Sequence, residues 1–295
     1  MALPSWLTPS LLARLDALSL SVRTVRAGAH LGGRYAVNRR GSSVEFAEHA
    51  PYHPGDDIRT IDWNLYARLD KLFIKTYREE IELSVEVIVD ATRSMALPSP
   101  EKFARACQAA LCLGYVALGG RHRVRMSWMQ PGAITAGSWA RRRSDVLRLA
   151  ETLEGRTASG HAEPDEWVPR AAAQLRFRGG QAILITDGMA RPARLFRALH
   201  LLRLRHMEVK LLQVLMPQEL HPAKLFRGGW LVDAETGLTH QLGYSSQELE
   251  QAVLEHNEHL ARFCKREGIA FARHLTDEPL SRLLFETLPA RHFLE

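Results

Sequence analysis

The sequence predicts a mostly parallel α/β sheet with helices on both faces, and its hydrophobic patterning carries the prediction. Between residues 83 and 287, short apolar runs alternate with amphipathic helical patterns, as βαβ units require. The runs at 181–187 and 208–215 have no polar face, which suits strands buried on both sides of a parallel sheet. Two runs also stop abruptly on a carboxylate, Val87-Ile88-Val89 at Asp90 and Ile183-Leu184-Ile185-Thr186 at Asp187. Ligands of open α/β sheets bind beyond such carboxyl ends.

Taken in order, residues 9–19 form a helix, with Leu11, Leu12, Leu15 and Leu18 at helical spacing. Residues 20–70 read as a long irregular segment rich in Gly, Pro, Asp and Arg. Its aromatics Tyr35, Phe46, Tyr52, Trp63 and Tyr66 argue that it is ordered and packed. Strands follow at 72–77 and 83–90, then a helix at 101–118 behind Pro100. Residues 123–129 and 133–136 read as a strand pair turning at Pro131-Gly132. Helices are expected at 138–153, 166–175 and 193–204, interleaved with the strands at 181–187 and 208–215. Residues 217–244 interrupt the alternation as an insertion. Within it, 228–233 and 238–242 flank Glu235-Thr236-Gly237 as a β-hairpin. A helix at 247–266, a strand at 269–273 and a helix at 280–287 complete the reading. The chain divides into residues 1–80, a helix and an irregular or β extension, and residues 81–295, the α/β domain with its insertion.

Composition narrows the function. The 295 residues are 46% hydrophobic and 24% charged, enough for a large core and unlike a disordered chain. The net charge is +6, yet no basic block interleaves with aromatics. Arg141-Arg142-Arg143 is too short a run to decide anything; no nucleic-acid partner is expected, with a weak nucleic-acid binder as an alternative reading of the positive charge. Three cysteines, Cys107, Cys112 and Cys264, make no disulfide framework and read as reduced thiols. The first twenty residues lack a basic leader, and Arg14 and Asp16 interrupt their apolar pattern. The most apolar stretch, 109–119, is about half of the roughly 20 residues a membrane span needs. A cytoplasmic protein without membrane insertion is therefore expected.

The strand-end carboxylates supply the chemistry. Asp90-Ala91-Thr92-Arg93-Ser94 offers one carboxylate and two hydroxyls from alternate positions, and Asp187-Gly188 a second carboxylate at a sharp turn. Hard oxygen donors of low net charge suit Mg²⁺, with Mn²⁺ or Ca²⁺ as alternatives, and no soft ligand stands nearby for zinc or copper. The competing reading makes each aspartate a helix cap or turn residue. Asp90-x-Thr92-x-Ser94 followed by Asp187 resembles the metal-ion-dependent adhesion site of von Willebrand factor A domains. That resemblance implies direct ligation by Thr92 and Ser94, Asp187 acting through water, and a loop threonine completing the set. Thr157 and Ser159, within Gly155-Arg156-Thr157-Ala158-Ser159-Gly160, both lie in the corresponding interval, and Thr157 is carried forward as the candidate. Thr92 stands where serine is usual and keeps the hydroxyl.

A second signature precedes the sheet: Gly41-Ser42-Ser43-Val44-Glu45-Phe46, then Tyr52-His53-Pro54-Gly55-Asp56-Asp57-Ile58-Arg59-Thr60-Ile61-Asp62-Trp63, then Tyr66-Ala67-Arg68. Pro54-Gly55 is a turn signal. Asp56, Asp57 and Asp62 among Arg59 and Arg68 suggest an ion-pair network, with Trp63 and Tyr66 anchoring the segment by buried area. A recognition surface is the alternative. This stretch closely resembles the bacterial family catalogued as domain of unknown function 58, which joins such a motif to a von Willebrand A-like domain. The resemblance covers about residues 30–215 and extends towards the remainder. It implies a non-catalytic adaptor to a MoxR-type AAA+ ATPase, and to other von Willebrand A-like proteins, in chaperone-like maturation of a client. The residues that carry the motif, as a shape-holding or partner-binding set, are Tyr52, Pro54, Gly55, Asp56, Arg59, Asp62, Trp63 and Arg68. The enzymatic alternative is a metal-dependent hydrolase using His49, His53, Asp56 and Asp57. The chain has no Gly-x-Ser-x-Gly elbow, P-loop or His-Glu-x-x-His motif.

Overall fold

A computed structural model describes residues 4–22, 44–56, 58–79, 82–132, 134–222, 230–232, 239–241 and 246–295. The chain divides into two compact units, one of Met1–Ala36 with Leu83–Glu295 and one of Val37–Glu82.

The larger unit holds a six-stranded sheet. Its strands are β3 (Ser84–Asp90), β4 (Arg123–Met129), β5 (Thr135–Ala136), β6 (Gln181–Thr186), β7 (Glu208–Leu215) and β10 (Ala270–Leu275). They lie in the order β10-β7-β6-β3-β4-β5, all parallel except the short edge strand β5. This is the von Willebrand factor A-like arrangement the motif implied. Counted by their place in the sheet, the strands run 6-5-4-1-2-3, so the order reverses between β3 and β6.

Alternate side chains sort to two apolar layers. Val85, Val87 and Val89, with Ile183, Ile185, Leu212 and Val214, face helices α1 (Pro9–Leu15), α3 (Glu101–Gly119) and α4 (Val146–Glu151). Ile88, Ala182, Leu184, Val209 and Leu211 face α5 (Pro164–Gln174), α6 (Pro192–Leu204) and α8 (Ser246–Glu267). Period-two alternation with both faces apolar is what makes these runs look unbroken in sequence. Three buried charges interrupt the pattern, two of them paired. Glu86 on β3 takes a bidentate ion pair from Arg125 on β4, whose Nη2 also reaches the Leu175 carbonyl at 2.9 Å. Lys210 on β7 is fully buried and donates to the carbonyls of Ser21 and Phe293.

Lys210 thereby ties the two ends of this unit together. Leu20 bridges Leu294 antiparallel, with Ser19 and Glu295 exchanging backbone bonds at 3.0 and 2.9 Å. The N-terminal segment accordingly packs with the α/β core through Leu7 and, on α1, Leu15, and does not group with residues 37–82 as the sequence division had it.

Local differences have local causes. The helix expected over 138–153 is α-helical only at Val146–Glu151. Upstream, Ala140 bridges Val124 of β4, and Trp139 lies under the Arg123 and Arg125 guanidiniums at 4.8 and 4.4 Å, which holds that stretch extended. Asp145 then accepts the Arg141 and Arg142 N–H groups at 2.9 and 3.1 Å. The C-terminal helix breaks into Leu280–Arg282 and a π turn at Leu283–Thr287. The predicted hairpin is two short antiparallel strands, β8 (Trp230–Val232) and β9 (Thr239–Gln241), and its turn residues lie outside the described residues.

The smaller unit corrects the reading of 20–70 as irregular. β1 (Val44–Pro51) pairs antiparallel with β2 (Phe73–Glu79), and α2 (Trp63–Leu69) lies between them in sequence. A bulge between Phe46 and Glu48 breaks the alternation that would have announced β1. Residues 23–43, Tyr35 and Gly41-Ser42-Ser43 among them, lie outside the described residues.

Candidate functional site

The carboxyl ends of β3 and β6 meet at the reversal point. Val89 pairs with Ile185, which sets Asp90 beside Thr186 and brings Asp187 just past the sheet edge. Asp90 is buried and both its oxygens are engaged. Oδ1 accepts the Thr92 N–H at 3.0 Å and the Thr92 hydroxyl at 2.7 Å, and Oδ2 accepts the Thr186 hydroxyl at 2.7 Å. Thr92 Oγ1 lies 3.1 Å from Ser94 Oγ. Asp187, also buried, accepts the Met189 N–H on Oδ1 at 3.1 Å. Its turn is fixed from behind: Gln213 Nε2 donates to the Asp187 carbonyl at 2.9 Å, and His256 Nε2 lies 2.8 Å from the Gly188 carbonyl. Gly188 has φ +69°, and a Cβ there would meet Leu260 at 2.9 Å.

The remaining oxygen of Asp187 belongs to a residue that motif reading missed. Lys102 Nζ, from the first turn of α3, donates to Asp187 Oδ2 at 3.1 Å and to Glu219 Oε1 at 2.6 Å. Glu219 sits on α7 (Pro217–Leu220) directly after β7, and its Oε2 accepts the Met216 N–H at 2.8 Å. The Lys102 side chain is 0% exposed, that of Asp187 3% and that of Glu219 18%, so Glu219 is the member nearest solvent.

Electrostatics follow from burial. Burial, then the neighbouring Asp187 charge, pushes Asp90 up to about 7, against the bonds from Thr186 and Thr92. Burial by itself would lower the Lys102 ammonium. The carboxylates of Asp187 and Glu219 outweigh it and hold that ammonium above its ordinary range.

A divalent ion fits this arrangement poorly. Every carboxylate oxygen of Asp90 and Asp187 already accepts a hydrogen bond from the protein, and the cation facing Asp187 is Lys102. The expected loop residue is also misplaced. Ser159 N donates to the Ala91 carbonyl at 2.9 Å and Arg93 N to the Gly160 carbonyl at 2.8 Å, so Ser159–Gly160 runs beside the Asp90 loop. Thr157 instead lines an apolar groove with Trp6, Phe103 and Cys107.

The motif unit has a different character. Asp62 is buried, its Oδ1 capping α2 through the Asn64 and Leu65 N–H groups at 3.0 and 3.2 Å, its Oδ2 2.9 Å from His49 Nε2. Asp56 Oδ2 accepts the His53 N–H at 2.8 Å, closing the Pro54-Gly55 turn in which Gly55 takes φ +112°. His53 Nδ1 lies 3.0 Å from the Pro51 carbonyl. His49, His53 and Asp56 are thus each engaged locally, and Asp57 lies outside the described residues. The anchoring role expected of Trp63 and Tyr66 is not what the structure shows. Trp63 is 62% exposed and Tyr66 39%, edge to face at 6.1 Å, with Ile58, Leu69 and Leu72 exposed as well. Three-residue spacing on α2 puts both rings on one face. Arg59 and Arg68 are exposed, and Tyr52 is half-buried with its N–H bonded to the Leu72 carbonyl at 3.0 Å.

Residues 48–259 match the family described as "Protein of unknown function DUF58". The chain belongs to this family. Uncharacterized proteins of Mycobacterium bovis and Mycobacterium tuberculosis are each 26% identical to the DUF58 chain over 277 residues, covering 91% of it and 86% of their own length. Among solved structures, BatB from Bacteroides thetaiotaomicron is 14% identical with a TM-score of 0.36, over 71% of the DUF58 chain and 93% of its own. A von Willebrand factor type A protein from Catenulispora acidiphila is 14% identical with a TM-score of 0.41, over 75% and 43%. Manganese-loaded TRAP of Plasmodium vivax is 14% identical with a TM-score of 0.33, over 45% and 57%. Among the described residues of the DUF58 chain, no helix is long and apolar enough to cross a membrane.

Proposed function

We propose that this chain is a non-catalytic protein-interaction module, an adaptor whose partner surface is the exposed face of α2 in the motif unit. One observation carries the reading: the most specific motif in the sequence spends Asp62 on capping a seven-residue helix whose Trp63, Tyr66 and Leu69 are then left open to solvent. Clustered exposed aromatics are costly to keep in water and mark interaction sites. Trp and Tyr dominate the energetics of protein interfaces. The partner implied by the family resemblance is a MoxR-type AAA+ ATPase acting on a client protein or complex, in the cytoplasm.

The magnesium implied by the adhesion-site resemblance, with manganese or calcium as alternatives, would have to share Asp187 with the Lys102 ammonium. The exposed face of α2 needs no metal to bind a partner. The hydrolase alternative is weakened by the local bonds of His49, His53 and Asp56.

The test is direct binding of the purified chain to the MoxR-type ATPase of the same cell, by biolayer interferometry in ATP- and ADP-loaded states. Trp63→Ala and Tyr66→Ala are each expected to weaken binding by ~30-fold or more, the size of an interface hot spot. Binding that is absent in both nucleotide states, or unchanged in the double variant, would overturn the proposal.

A further inference from the structure

The site at the reversal point contains its own cation. We propose that the Lys102 ammonium takes the place of a divalent metal in this adhesion-type site, with Glu219 as its internal carboxylate ligand, so that the site is metal-independent and closed by its own chain. The inference concerns the α/β unit and does not rest on the partner surface proposed for α2.

Three features carry it. Lys102 is fully buried, and such a side chain is kept only where its charge is answered. Two carboxylates from separate elements answer it, Asp187 at the end of β6 and Glu219 on α7. Each carboxylate oxygen at the reversal point already accepts from the protein: those of Asp90 from Thr92 and Thr186, and those of Asp187 from Met189 and from the Lys102 ammonium, so the charge facing Asp187 is the chain's own. Here a tethered ammonium faces Asp187, and Glu219 supplies the carboxylate from within. Glu219 is the one more exposed member, so it is the part that can be exchanged. The ligand class this site would admit is therefore a carboxylate that displaces Glu219 from Lys102, such as an acidic side chain of another protein.

Mn²⁺ alone is the first probe, with binding followed by electron paramagnetic resonance on the full chain. Wild type is expected to bind none at this site. Lys102→Ala is expected to gain one Mn²⁺, which Asp90→Asn in the same background removes. Mn²⁺ bound by wild type and lost on Asp90→Asn would overturn the proposal. So would a folded Lys102→Ala protein that gains no Mn²⁺, because Lys102 would then not be standing in for a metal. Amine acetylation read by mass spectrometry keeps the proposal testable if Lys102→Ala does not fold. In wild type, Lys102 is expected to resist acetylation while exposed Lys71 reacts. Glu219→Ala should open Lys102 to the reagent, and added acetate should restore its protection by refilling the vacated carboxylate position. Acetylation of Lys102 in wild type at the rate of Lys71 would overturn the closed site. Failure of acetate to protect it in Glu219→Ala would overturn carboxylate recognition. Neither result bears on α2, so failure here and failure of the adaptor reading are separately visible.

Discussion

Asp62→Ala should unravel the partner surface while sparing the α/β core. Asp62 makes two kinds of bond in the motif unit. Its Oδ1 caps α2 through Asn64 and Leu65, and losing a cap of this type costs about 1 kcal/mol. Its Oδ2 meets His49 at 2.9 Å, and losing that hydrogen bond costs about 1 kcal/mol more. A helix of seven residues has little stability of its own. A loss of roughly 1–2 kcal/mol therefore shifts its local opening equilibrium by a factor of about 5–30. The assay is amide hydrogen exchange resolved to peptides covering 61–72, with peptides of β3 and β6 as the internal reference. Asp62→Asn is the control. It keeps an equally good cap and loses the carboxylate charge facing His49, so it should exchange faster than wild type but slower than Asp62→Ala. Exchange in 61–72 that is unchanged in Asp62→Ala would refute the reasoning, as would equal acceleration in both variants.

Three further outcomes are expected. Gly180 has φ +82°, and a Cβ there would lie 2.1 Å from the Ser84 carbonyl oxygen. Gly180→Ala should lose roughly 2–5 kcal/mol of stability from left-handed strain plus overpacking, and an unmoved urea midpoint would contradict this. Leu149 is buried against Gly114, and Leu149→Ala should cost roughly 2–5 kcal/mol by the same measurement, with a shift under 1 contradicting the packing assigned to α4. His274 is buried with no hydrogen-bond partner on either ring nitrogen; burial, then the Arg105 charge, pushes it down from 6.5 to about 4. The unfolded chain then binds the extra proton between those values, so stability falls as pH drops from 6.5 towards 4, by up to about 3 kcal/mol. The difference between wild type and His274→Gln should change across that window, and a constant difference would show that His274 is not buried neutral.

Much of the α/β unit was legible because its strands are apolar on both faces and its carboxylates stand where apolar runs stop. Asp90 and Asp187 could be found that way, since a polar residue ending a buried strand is locally conspicuous. Lys102 and Glu219 could not. Lys102 is the second residue of an ordinary amphipathic helix, and Glu219 lies in a stretch that looked like an insertion. Only the sheet order, which sets β7 beside β6 and β6 beside β3, brings residues 102, 187 and 219 to one point. Thr186 was hidden by its apparent role as the last residue of a strand. In the motif unit, the aromatics were legible as important but not as exposed. Composition does not distinguish a ring that packs inward from one that faces solvent, and that depends on where Asp62 starts the helix. The stretch at 138–145 misled because its residues are compatible with a helix, while Trp139 and Ala140 are drawn to the edge of the sheet.

Site-specific photocrosslinking tests the adaptor reading most directly. A benzophenone amino acid would be placed at Leu69, beside Trp63 and Tyr66, and in a second protein at Leu204, which is equally open but lies on α6 of the other unit. With the MoxR-type ATPase present, crosslinks are predicted from position 69 and not from position 204. Crosslinks from position 204 alone, or from neither position, would contradict the account.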